Sequence, residues 1–371
     1  MRVLMVGTKK IRGAGGMATH TEELIAHLRK LGVEVEHCLT SPSREYDIVR
    51  DRLIRLYTRT LGLSLKLLKD SKKFNIVHIQ ASGPLGGFLP AIVGALWKKL
   101  LGFRLVVTFH YSDTENFVKK HKKLMSFVLD NTDLLIVVSH LQKKVISSEV
   151  GGEGKIVVVP NGYNPEKFTP VDKREAREKL GLPEDSKILV NVGNLLPQKG
   201  QEFLIEAVDV VVNEVGRRDV LCVIIGKGSL YEKLAGLVRE KGLEGHVRLT
   251  GWVSFEDLNL YLHAADLFVL SSLHEGNPTV MFEAMGCGLP FVGTGVGGVP
   301  EIITSGDYGL IAKPADARDL AEKILMALEK GWDAEKIRDY ARRFTWENVA
   351  RRTCEFYRYV ERFGDTDRAT N

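Results

Sequence analysis

The strongest candidate for chemistry in this chain is the segment Ser271–Ile302, which reads SSLHEGNPTVMFEAMGCGLPFVGTGVGGVPEI. It follows the apolar strand predicted at Leu267–Leu270, and open α/β sheets bind ligands at the carboxyl ends of their strands. Asn277 suits an N-cap and Pro278 suits the first helical position, so a helix is predicted over Pro278–Met285. The N-terminus of such a helix offers backbone N–H groups and partial positive charge to an anion.

Two carboxylates accompany this helix. Glu275 lies just before it, and Glu283 lies about one and a half turns inside it. Carboxylates placed in this way can contact different parts of one extended ligand. An isolated pair at this spacing is more often a loop acid and a solvated helix residue, so its interpretation depends on the rest of the chain.

Apolar, β-rich runs alternate with helical patterns along the whole chain. The predicted strands are Val3–Val6, Val33–Leu39, Ile76–Ile79, Leu105–Phe109, Leu134–Val138, Ile156–Val159, Ile188–Val192, Val220–Ile225, Val247–Leu249, Leu267–Leu270, Phe291–Gly293 and Leu310–Ala312. Strands that are apolar at nearly every position are buried on both faces, which is typical of parallel sheets covered by helices. The alternation predicts an α/β fold of two Rossmann-like, doubly wound domains.

The predicted helices include Thr19–Leu31, Lys119–Leu129, Asp172–Leu180 and Glu202–Glu214. A stretch rich in Pro, Asn and Gly, Pro160–Pro170, indicates the domain break. The domains are therefore predicted at 1–165 and 166–345. The C-terminal segment 346–371 contains the amphipathic stretch Trp346–Phe363 and is expected to pack back on the first domain.

The composition is that of a globular protein large enough for two domains. The chain has 371 residues, and no apolar run approaches the roughly 18 residues of a membrane span. It opens directly into a strand, so no signal peptide is expected. The four cysteines are far apart and fit buried thiols in a reducing compartment. These features predict a cytoplasmic protein.

Several motifs in order resemble glycosyltransferase family 4, whose members are retaining enzymes with the GT-B fold. Besides the two glutamates seven residues apart, the matching segments are GAGGMATHTEEL, VVTFHY, VVPNGYNPEKF and VGNLLPQKG. The resemblance implies two Rossmann-like domains that face each other across a cleft. It also implies transfer of a hexose from a nucleotide-diphosphate sugar to an acceptor hydroxyl. The first domain is expected to bind the acceptor and the second the donor.

The resemblance assigns roles to individual residues. Glu283 is expected to accept hydrogen bonds from the ribose hydroxyls of the nucleotide, and Glu275 to hold a hydroxyl of the donor sugar. His110, at the end of the strand Leu105–Phe109, is expected beside the donor sugar. The donor-binding backbone is expected at Gly276, Asn277, Pro278, Thr279 and Val280. His20, His140 and His274 carry no assignment.

Lys199 is expected to neutralise the donor diphosphate as the glycosidic bond breaks. The sequence contains no Asp-x-Asp motif, so a metal-independent enzyme without a cofactor is expected. The family commonly has an arginine where this chain has Asn194. Loss of that bidentate partner predicts weaker donor binding than is typical of the family.

Gly15 and Gly16 belong to a glycine-rich loop after the first strand, which permits close backbone approach to phosphate or sugar. A plain tight turn is an equal alternative. The GxGxxG fingerprint is absent, which disfavours a Rossmann dehydrogenase, the alternative from another enzyme class. A glycogen-synthase-like glucan polymerase is a nearer alternative. The sequence leaves UDP and GDP both open as the nucleotide.

The positive charge lies in the first half of the chain. Residues 1–165 carry 25 Lys and Arg against 14 Asp and Glu, whereas residues 166–371 carry 27 against 33. Lysine clusters interleaved with apolar residues occur near Lys66–Lys73, Trp97–Leu101 and Phe117–Val128. They suggest a lipid-linked or other glycan acceptor and a peripheral position on an anionic membrane surface at its inner face, with a solvated basic face as the alternative. Few stacking aromatics accompany the charge, which disfavours nucleic acid as a partner.

Overall fold

The computed structural model describes residues 1–9, 16–41, 48–83 and 85–363. The chain forms two compact units. The first contains Met1–Asn161 and the chain from Trp346 onward, and the second is Gly162–Thr345. The C-terminal helix therefore belongs to the first unit, although 184 residues of the second unit come before it.

Within the described residues, the first unit is built on a six-stranded parallel sheet of order β2-β1-β3-β4-β5-β6. Its strands are β1 Arg2–Gly7, β2 Glu34–Leu39, β3 Ile76–Ala81, β4 Arg104–Phe109, β5 Leu134–Val137 and β6 Ile156–Val158. Its helices are α1 Gly16–Lys30, α2 Ile48–Arg59, α3 Leu61–Asp70, α4 Leu85–Leu101, α5 Thr114–Lys120, α6 Lys122–Asp130, α7 His140–Val150 and α16 Trp346–Phe363.

The described part of the second unit also has a six-stranded parallel sheet, of order β12-β11-β10-β7-β8-β9. Its strands are β7 Lys187–Val192, β8 Val220–Ile225, β9 Val247–Gly251, β10 Leu267–Leu270, β11 Phe291–Thr294 and β12 Gly309–Ala312. Its helices are α8 Lys173–Leu180, α9 Gln201–Asp209, α10 Tyr231–Glu240, α11 Phe255–Ala264, α12 Thr279–Gly286, α13 Val299–Ile302, α14 Ala317–Glu329 and α15 Ala334–Ala341.

The α/β fold class is confirmed, and each predicted strand is present to within one or two residues at its ends. The strands pair in parallel and are mostly buried, as their unbroken Val, Ile and Leu runs predict. Apolar side chains on both faces of each sheet pack under the covering helices and form the core. Helix α16 covers the first sheet through Trp346, Val349 and Tyr357, all of them buried.

One predicted helix is wrong in its continuity. The stretch Lys119–Leu129 is two helices, α5 and α6, which meet at His121, where φ is −122° and ψ is 33°. Phe117 from α5 and Met125 from α6 both enter the core of the first unit. Packing of these two side chains overrides the continuous helical pattern, because a weak local preference gives way to tertiary burial.

Other predicted features lie close to the observed ones. The expected helix Glu202–Glu214 consists of α9 and a π-helical turn, Val210–Glu214. All four cysteines are unpaired thiols. Among the described residues, no helix combines the length and the apolar character needed to span a bilayer.

Candidate functional site

The second unit brings Lys199 and Glu275 together at the carboxyl edge of its sheet. Lys199 follows β7 and Glu275 follows β10, and these strands are neighbours at the point where the strand order reverses. The distance between Lys199 Nζ and Glu275 Oε1 is 2.5 Å. The Glu275 side chain is 6% exposed and that of Lys199 is 25% exposed, so the pair is reachable mainly from the lysine side.

A second layer of hydrogen bonds fixes the carboxylate. Ser272 Oγ donates to Glu275 Oε1 at 2.6 Å, and Thr294 Oγ1 donates to the Ser272 carbonyl at 2.5 Å. Glu275 Oε1 therefore accepts hydrogen bonds from both an ammonium group and a hydroxyl group. The sequence analysis did not predict Ser272 or Thr294. The available signal was a hydroxyl residue at the end of each of two buried strands, since Thr294 is the last residue of β11 and Ser272 lies two residues after β10.

The loops that carry Lys199 and Glu275 are joined along their backbones. Leu273 N donates to the Gln198 carbonyl at 2.8 Å, and Ser271 Oγ donates to the Lys199 carbonyl at 3.1 Å. Gly200 has φ +58°, and a Cβ there would collide with the Ser271 carbonyl. The sequence QKG thus places a glycine where only a glycine lets the two loops approach this closely.

Helix α12 begins one residue later than predicted. Pro278 occupies the N-cap position with ψ 120°, and the helix runs over Thr279–Gly286. The assignments of Asn277 as N-cap and Pro278 as first helical residue are therefore wrong. The extended ψ of Pro278 prevents it from joining the helix, and no side-chain hydrogen bond caps this end.

The predicted donor-binding segment lies along the start of α12. Gly276, Asn277 and Pro278 are buried, whereas Thr279 and Val280 are half-buried. The Gly276 carbonyl accepts a hydrogen bond of 2.7 Å from Gly298 N. The loop before α13 therefore holds this segment in place.

Glu283 is the fifth residue of α12 and is half-buried. Cys287, four residues further along, is the C-cap of the helix. Burial, together with the nearby Glu283 carboxylate, raises the pKa of the Cys287 thiol well above its usual value. This thiol therefore stays protonated at neutral pH.

Asn194 is half-buried on the loop after β7, and its carbonyl accepts a hydrogen bond of 3.2 Å from Gln201 Nε2. The neighbouring loop after β8 contributes a cation that sequence reasoning missed. The Lys227 carbonyl accepts from Leu195 N at 3.0 Å, and the Lys227 side chain is exposed. A lysine between two glycines directly after a buried strand was the available signal.

In the first unit, His110 belongs to a group of polar side chains near the carboxyl edge of the sheet. Its Nε2 lies 2.7 Å from Gln80 Oε1, and its ring centroid lies 4.4 Å from that of His20. His20 Nδ1 donates to Asn161 Oδ1 at 2.9 Å, and its ring stands edge-on to Trp346. His20 had no predicted role, and the structure places it in direct contact with His110.

The hydrogen bonds around Gln80 determine which nitrogen of His110 carries the proton. Gln80 Oε1 can only accept, so His110 Nε2 donates and His110 Nδ1 keeps its lone pair. Gln80 Nε2 donates to His78 Nε2 at 3.2 Å. His78 Nε2 also lies 2.7 Å from the Thr108 hydroxyl, and His78 Nδ1 lies 2.6 Å from Tyr357 Oη.

The three histidines of this hydrogen-bonded group are neutral imidazoles at neutral pH. Burial lowers the pKa of His20 to about 4, against the opposing effect of its hydrogen bond to Asn161. Burial also lowers the pKa of His78 to about 3 and that of His110 well below its usual value. His110 therefore presents an unprotonated Nδ1 at neutral pH, which can accept a hydrogen bond from a ligand hydroxyl. Polar residues at alternate positions of the buried strand IVHIQA were the signal for His78 and Gln80.

Of the two predicted loop glycines, Gly16 is exposed and is the first residue of α1. Gly15 lies outside the described residues. Within the described ranges, no group of three or more His, Cys, Asp or Glu side chains is arranged to hold a metal ion.

Comparisons with known families cover nearly the whole chain. Residues 172–344 match the family model described as Glycosyl transferases group 1, and residues 14–167 match Glycosyltransferase Family 4. The first region lies within the second unit, and the second region lies in the first unit except for residues 162–167, which belong to the second.

Two relatives illustrate the sequence similarity. An uncharacterized glycosyltransferase of Methanocaldococcus jannaschii is 27% identical over 348 residues, which cover 90% of this chain and 91% of the relative. The UDP-Gal:alpha-D-GlcNAc-diphosphoundecaprenol alpha-1,3-galactosyltransferase of Escherichia coli is 29% identical over 323 residues, 76% of this chain and 81% of that protein.

Solved structures share the fold. Sucrose-phosphate synthase from Thermosynechococcus elongatus aligns with a TM-score of 0.82 at 22% identity, over 97% of this chain and 98% of that chain. Anabaena HepE in complex with UDP-glucose aligns with a TM-score of 0.76 at 20% identity, over 96% and 99%. The predicted GT-B fold is thereby confirmed. With the motifs and both family models in agreement, the chain belongs to glycosyltransferase family 4 and is a glycosyltransferase.

Proposed function

We propose that this glycosyltransferase transfers a hexose from a UDP-linked sugar to an acceptor hydroxyl, with retention of the anomeric configuration. The observation that carries the proposal is the Lys199–Glu275 pair at the reversal point of the second sheet. UDP is preferred over GDP because the Escherichia coli relative is named for a UDP-Gal donor and HepE was solved with UDP-glucose.

The donor is assigned to the second unit. Lys199 binds the diphosphate, and the N-terminal turn of α12, from Gly276 to Val280, contributes backbone N–H groups and its helix dipole. Glu283 accepts from the ribose hydroxyls, and Glu275 holds a hydroxyl of the sugar. Lys227, on the loop beside Asn194, supplies positive charge where the family's usual arginine is replaced.

The first unit is assigned to the acceptor and to part of the sugar. His110 Nδ1 accepts a hydrogen bond from a sugar hydroxyl, because its Nε2 proton is already committed to Gln80. Gly16, together with Gly15, allows close backbone approach to the donor. The acceptor is a hydroxyl of a lipid-linked sugar or cell-envelope glycan, and the protein acts peripherally at the inner face of a membrane.

The reaction proceeds on one face of the sugar. The bond between the anomeric carbon and the β-phosphate oxygen breaks, and its electron pair goes to the leaving diphosphate. The acceptor oxygen then bonds to the same face of the anomeric carbon, and its proton passes to the leaving phosphate oxygen. Lys199 stabilises the charge that develops on the diphosphate, so the proposed enzyme needs no metal.

Calorimetric titration with UDP, GDP and ADP, with a chelator and no added metal, tests the donor assignment. We expect saturable binding of UDP, weakened about 10- to 100-fold in Lys199→Ala and in Glu283→Ala, the scale of a lost hydrogen bond to a charged group. Lys179→Ala, which breaks an exposed ion pair with Glu175 on α8, is the matched control and should bind UDP normally.

Absence of binding by all three nucleotides, in protein shown to be folded, would overturn the donor assignment. Preference for GDP would correct the base and leave the site unchanged. Proton NMR of the fresh product tests the stereochemistry, and an inverted anomeric centre would contradict retention.

A further inference from the structure

Helices α2, α3 and α4 of the first unit expose many large apolar side chains, most of them leucines. The residues, from helices α2, α3 and α4, are 37–66% exposed; we call them the leucine face, and they are Leu53, Leu56, Tyr57, Leu61, Leu65, Leu68, Leu85, Leu96 and Leu100. The three helices pack on one another, and on α2 and α3 the exposed apolar residues recur three or four positions apart, which places them on one side of each helix. Exposed apolar patches of this kind mark interaction sites.

Helix α3 shows that the exposure is not a by-product of core packing. Its inner face is already filled, since Leu63 and Leu67 are completely buried in the core of the first unit. Leu61, Leu65 and Leu68 point away from that core and are each at least 50% exposed. A helix that only covers a sheet would carry polar residues at these positions.

The same helices carry a strong positive charge. Residues 48–101 contain ten Lys and Arg against two Asp and no Glu, a net charge of +8. Both aspartates are engaged by basic side chains: Asp51 Oδ2 lies 3.3 Å from Arg55, and Asp70 lies 2.9 Å from Lys66 and 2.5 Å from Lys73. Arg52, Lys69 and Lys99 are exposed, so the helices that carry the leucine face also present cations to solvent.

We infer that the leucine face is a membrane-docking surface for anionic lipid. The leucines enter the boundary between headgroups and acyl chains, and the surrounding lysines and arginines bind the anionic headgroups. The inference rests on the proposed function in one respect, since it places the first unit at the surface from which a lipid-linked acceptor is presented. A protein partner fits less well, because protein interfaces are depleted in lysine at their core.

One of the basic clusters considered from the sequence exposes less apolar surface than the leucine face. Near Lys119–Lys123, the apolar neighbours Phe117, Val118 and Val128 are buried in the core, and Leu124 and Phe127 are half-buried. Docking is therefore confined to α2, α3 and the outer side of α4.

Flotation with vesicles tests this assignment on the full chain. Phosphatidylcholine vesicles with and without phosphatidylglycerol are compared at physiological salt, using Leu56→Ser with Leu65→Ser and, separately, Arg52→Glu with Lys69→Glu. We expect binding only with phosphatidylglycerol. Each cation removed should weaken partitioning about 5-fold, and the leucine double variant should weaken it at least about 10-fold.

Matched controls lie outside the leucine face. Met326→Ser removes an equally exposed apolar side chain from α14, and Lys144→Glu reverses an exposed charge on α7. Both should float like the unchanged protein. Failure to bind phosphatidylglycerol vesicles, or equal binding by all variants, would overturn the inference. So would vesicle-independent self-association that the leucine variants abolish, since the face would then be an interface between copies.

Calorimetry with UDP on the same variants separates this inference from the proposed function. The leucine and charge variants should bind UDP like the unchanged protein, because α2, α3 and α4 contain none of the donor residues. Vesicle binding without UDP binding would leave the docking surface standing and overturn the donor assignment alone.

Discussion

At the level of single side chains, Lys199 and Glu275 of the proposed donor site form an ion pair with each other. Lys199 Nζ is 2.5 Å from Glu275 Oε1, and Ser272 donates to the same oxygen. A diphosphate that binds Lys199 must compete with Glu275 for the ammonium and must also approach a carboxylate. The pair therefore opposes tight binding of the leaving group while keeping both side chains in position.

Glu275→Gln tests this competition. The amide oxygen can still accept from Ser272, but the negative charge is gone, so Lys199 is released toward a diphosphate. We expect UDP to bind as tightly as before or up to about 10-fold more tightly, while sugar transfer falls about 100-fold. Calorimetry and turnover measure the two effects, and a parallel loss of both would show that Glu275 serves only to hold the fold.

Gln80→Leu tests the control of His110 by its neighbour. Without the amide oxygen, His110 Nε2 loses its acceptor and the Nδ1–H tautomer becomes accessible. We expect kcat/KM to fall about 10-fold, the scale of one buried hydrogen bond, and nitrogen NMR of His110 to show a mixture of tautomers. An unchanged tautomer would contradict this control.

Gln80→Glu is the matched variant, because a carboxylate still accepts from His110 Nε2. Its negative charge favours the imidazolium and raises the pKa of His110 from its lowered position. The acid limb of the pH–rate profile should therefore move toward neutral pH. A role that is purely structural would leave that limb where it is.

At the level of elements, side-chain packing at the middle and at the C-terminal end of α12 positions this helix. Phe282 packs against Phe344 with ring centroids 5.0 Å apart, and a Cβ on Gly286 would collide with the Tyr163 ring. The segment just before α12 is joined to the loop before α13 by a backbone hydrogen bond from Gly298 N to the Gly276 carbonyl. The proposed anion-binding end thus has no side-chain cap that would compete with a ligand.

Gly200→Ala tests the close approach of the loops after β7 and β10. Gly181→Ala is the matched control, since both glycines have φ +58° but a Cβ on Gly181 meets no atom within 4 Å. We expect Gly181→Ala to lower the free energy of unfolding by about 1–2 kcal/mol through backbone strain alone. Gly200→Ala should cost about 1–3 kcal/mol more because of the collision with Ser271, and it should also weaken UDP binding. Equal losses in urea denaturation would contradict the steric argument.

At the scale of the whole molecule, buried neutral histidines distinguish the two units. The described histidines whose pKa is lowered by burial all belong to the first unit; they are His20, His37, His78 and His110. As the pH falls, a histidine that folding keeps neutral is protonated in the unfolded chain before it is protonated in the folded protein. Acid therefore favours unfolding of the unit that contains it.

The direction of this change in stability, and the pH range over which it occurs, follow from the pKa values of the histidines. The pKa of His20 is about 4 and that of His78 about 3 in the folded protein, against about 6.5 when unfolded. Below about pH 6.5 the unfolded state holds protons that the folded state lacks, so stability falls as pH falls, by about 1.4 kcal/mol per pH unit for each histidine. The loss for each group ends once the pH passes below its folded value.

Hydrogen exchange at about pH 7 and about pH 5, corrected for the intrinsic exchange rate, measures this effect in each unit. We expect peptides from the first unit to lose protection at the lower pH before those of the second. His20→Gln keeps a donor for Asn161 but does not titrate. It should therefore lower the number of protons taken up on unfolding of the first unit by about one. Equal loss in both units would assign acid sensitivity to other groups.

Much of this architecture could be read from the sequence because it depends on local patterns. Runs of Val, Ile and Leu identified the strands, and their alternation with helical patterns indicated parallel sheets in two units. The ordered motifs indicated the family. Local patterns were less reliable at element ends, where Pro278 rather than Asn277 is the N-cap of α12.

The tertiary structure alone decided which distant residues meet. Lys199 and Glu275 are 76 positions apart and form a pair because β7 and β10 are neighbours in the sheet. His110 meets Gln80, and His20 meets Asn161, through strands and loops from separate parts of the chain. Helix α3 has leucines on both faces, and only its packing on the core shows which of them remain exposed. Strand order and helix orientation depend on how much apolar surface is buried in the whole unit. The periodicity of a short segment does not show that quantity.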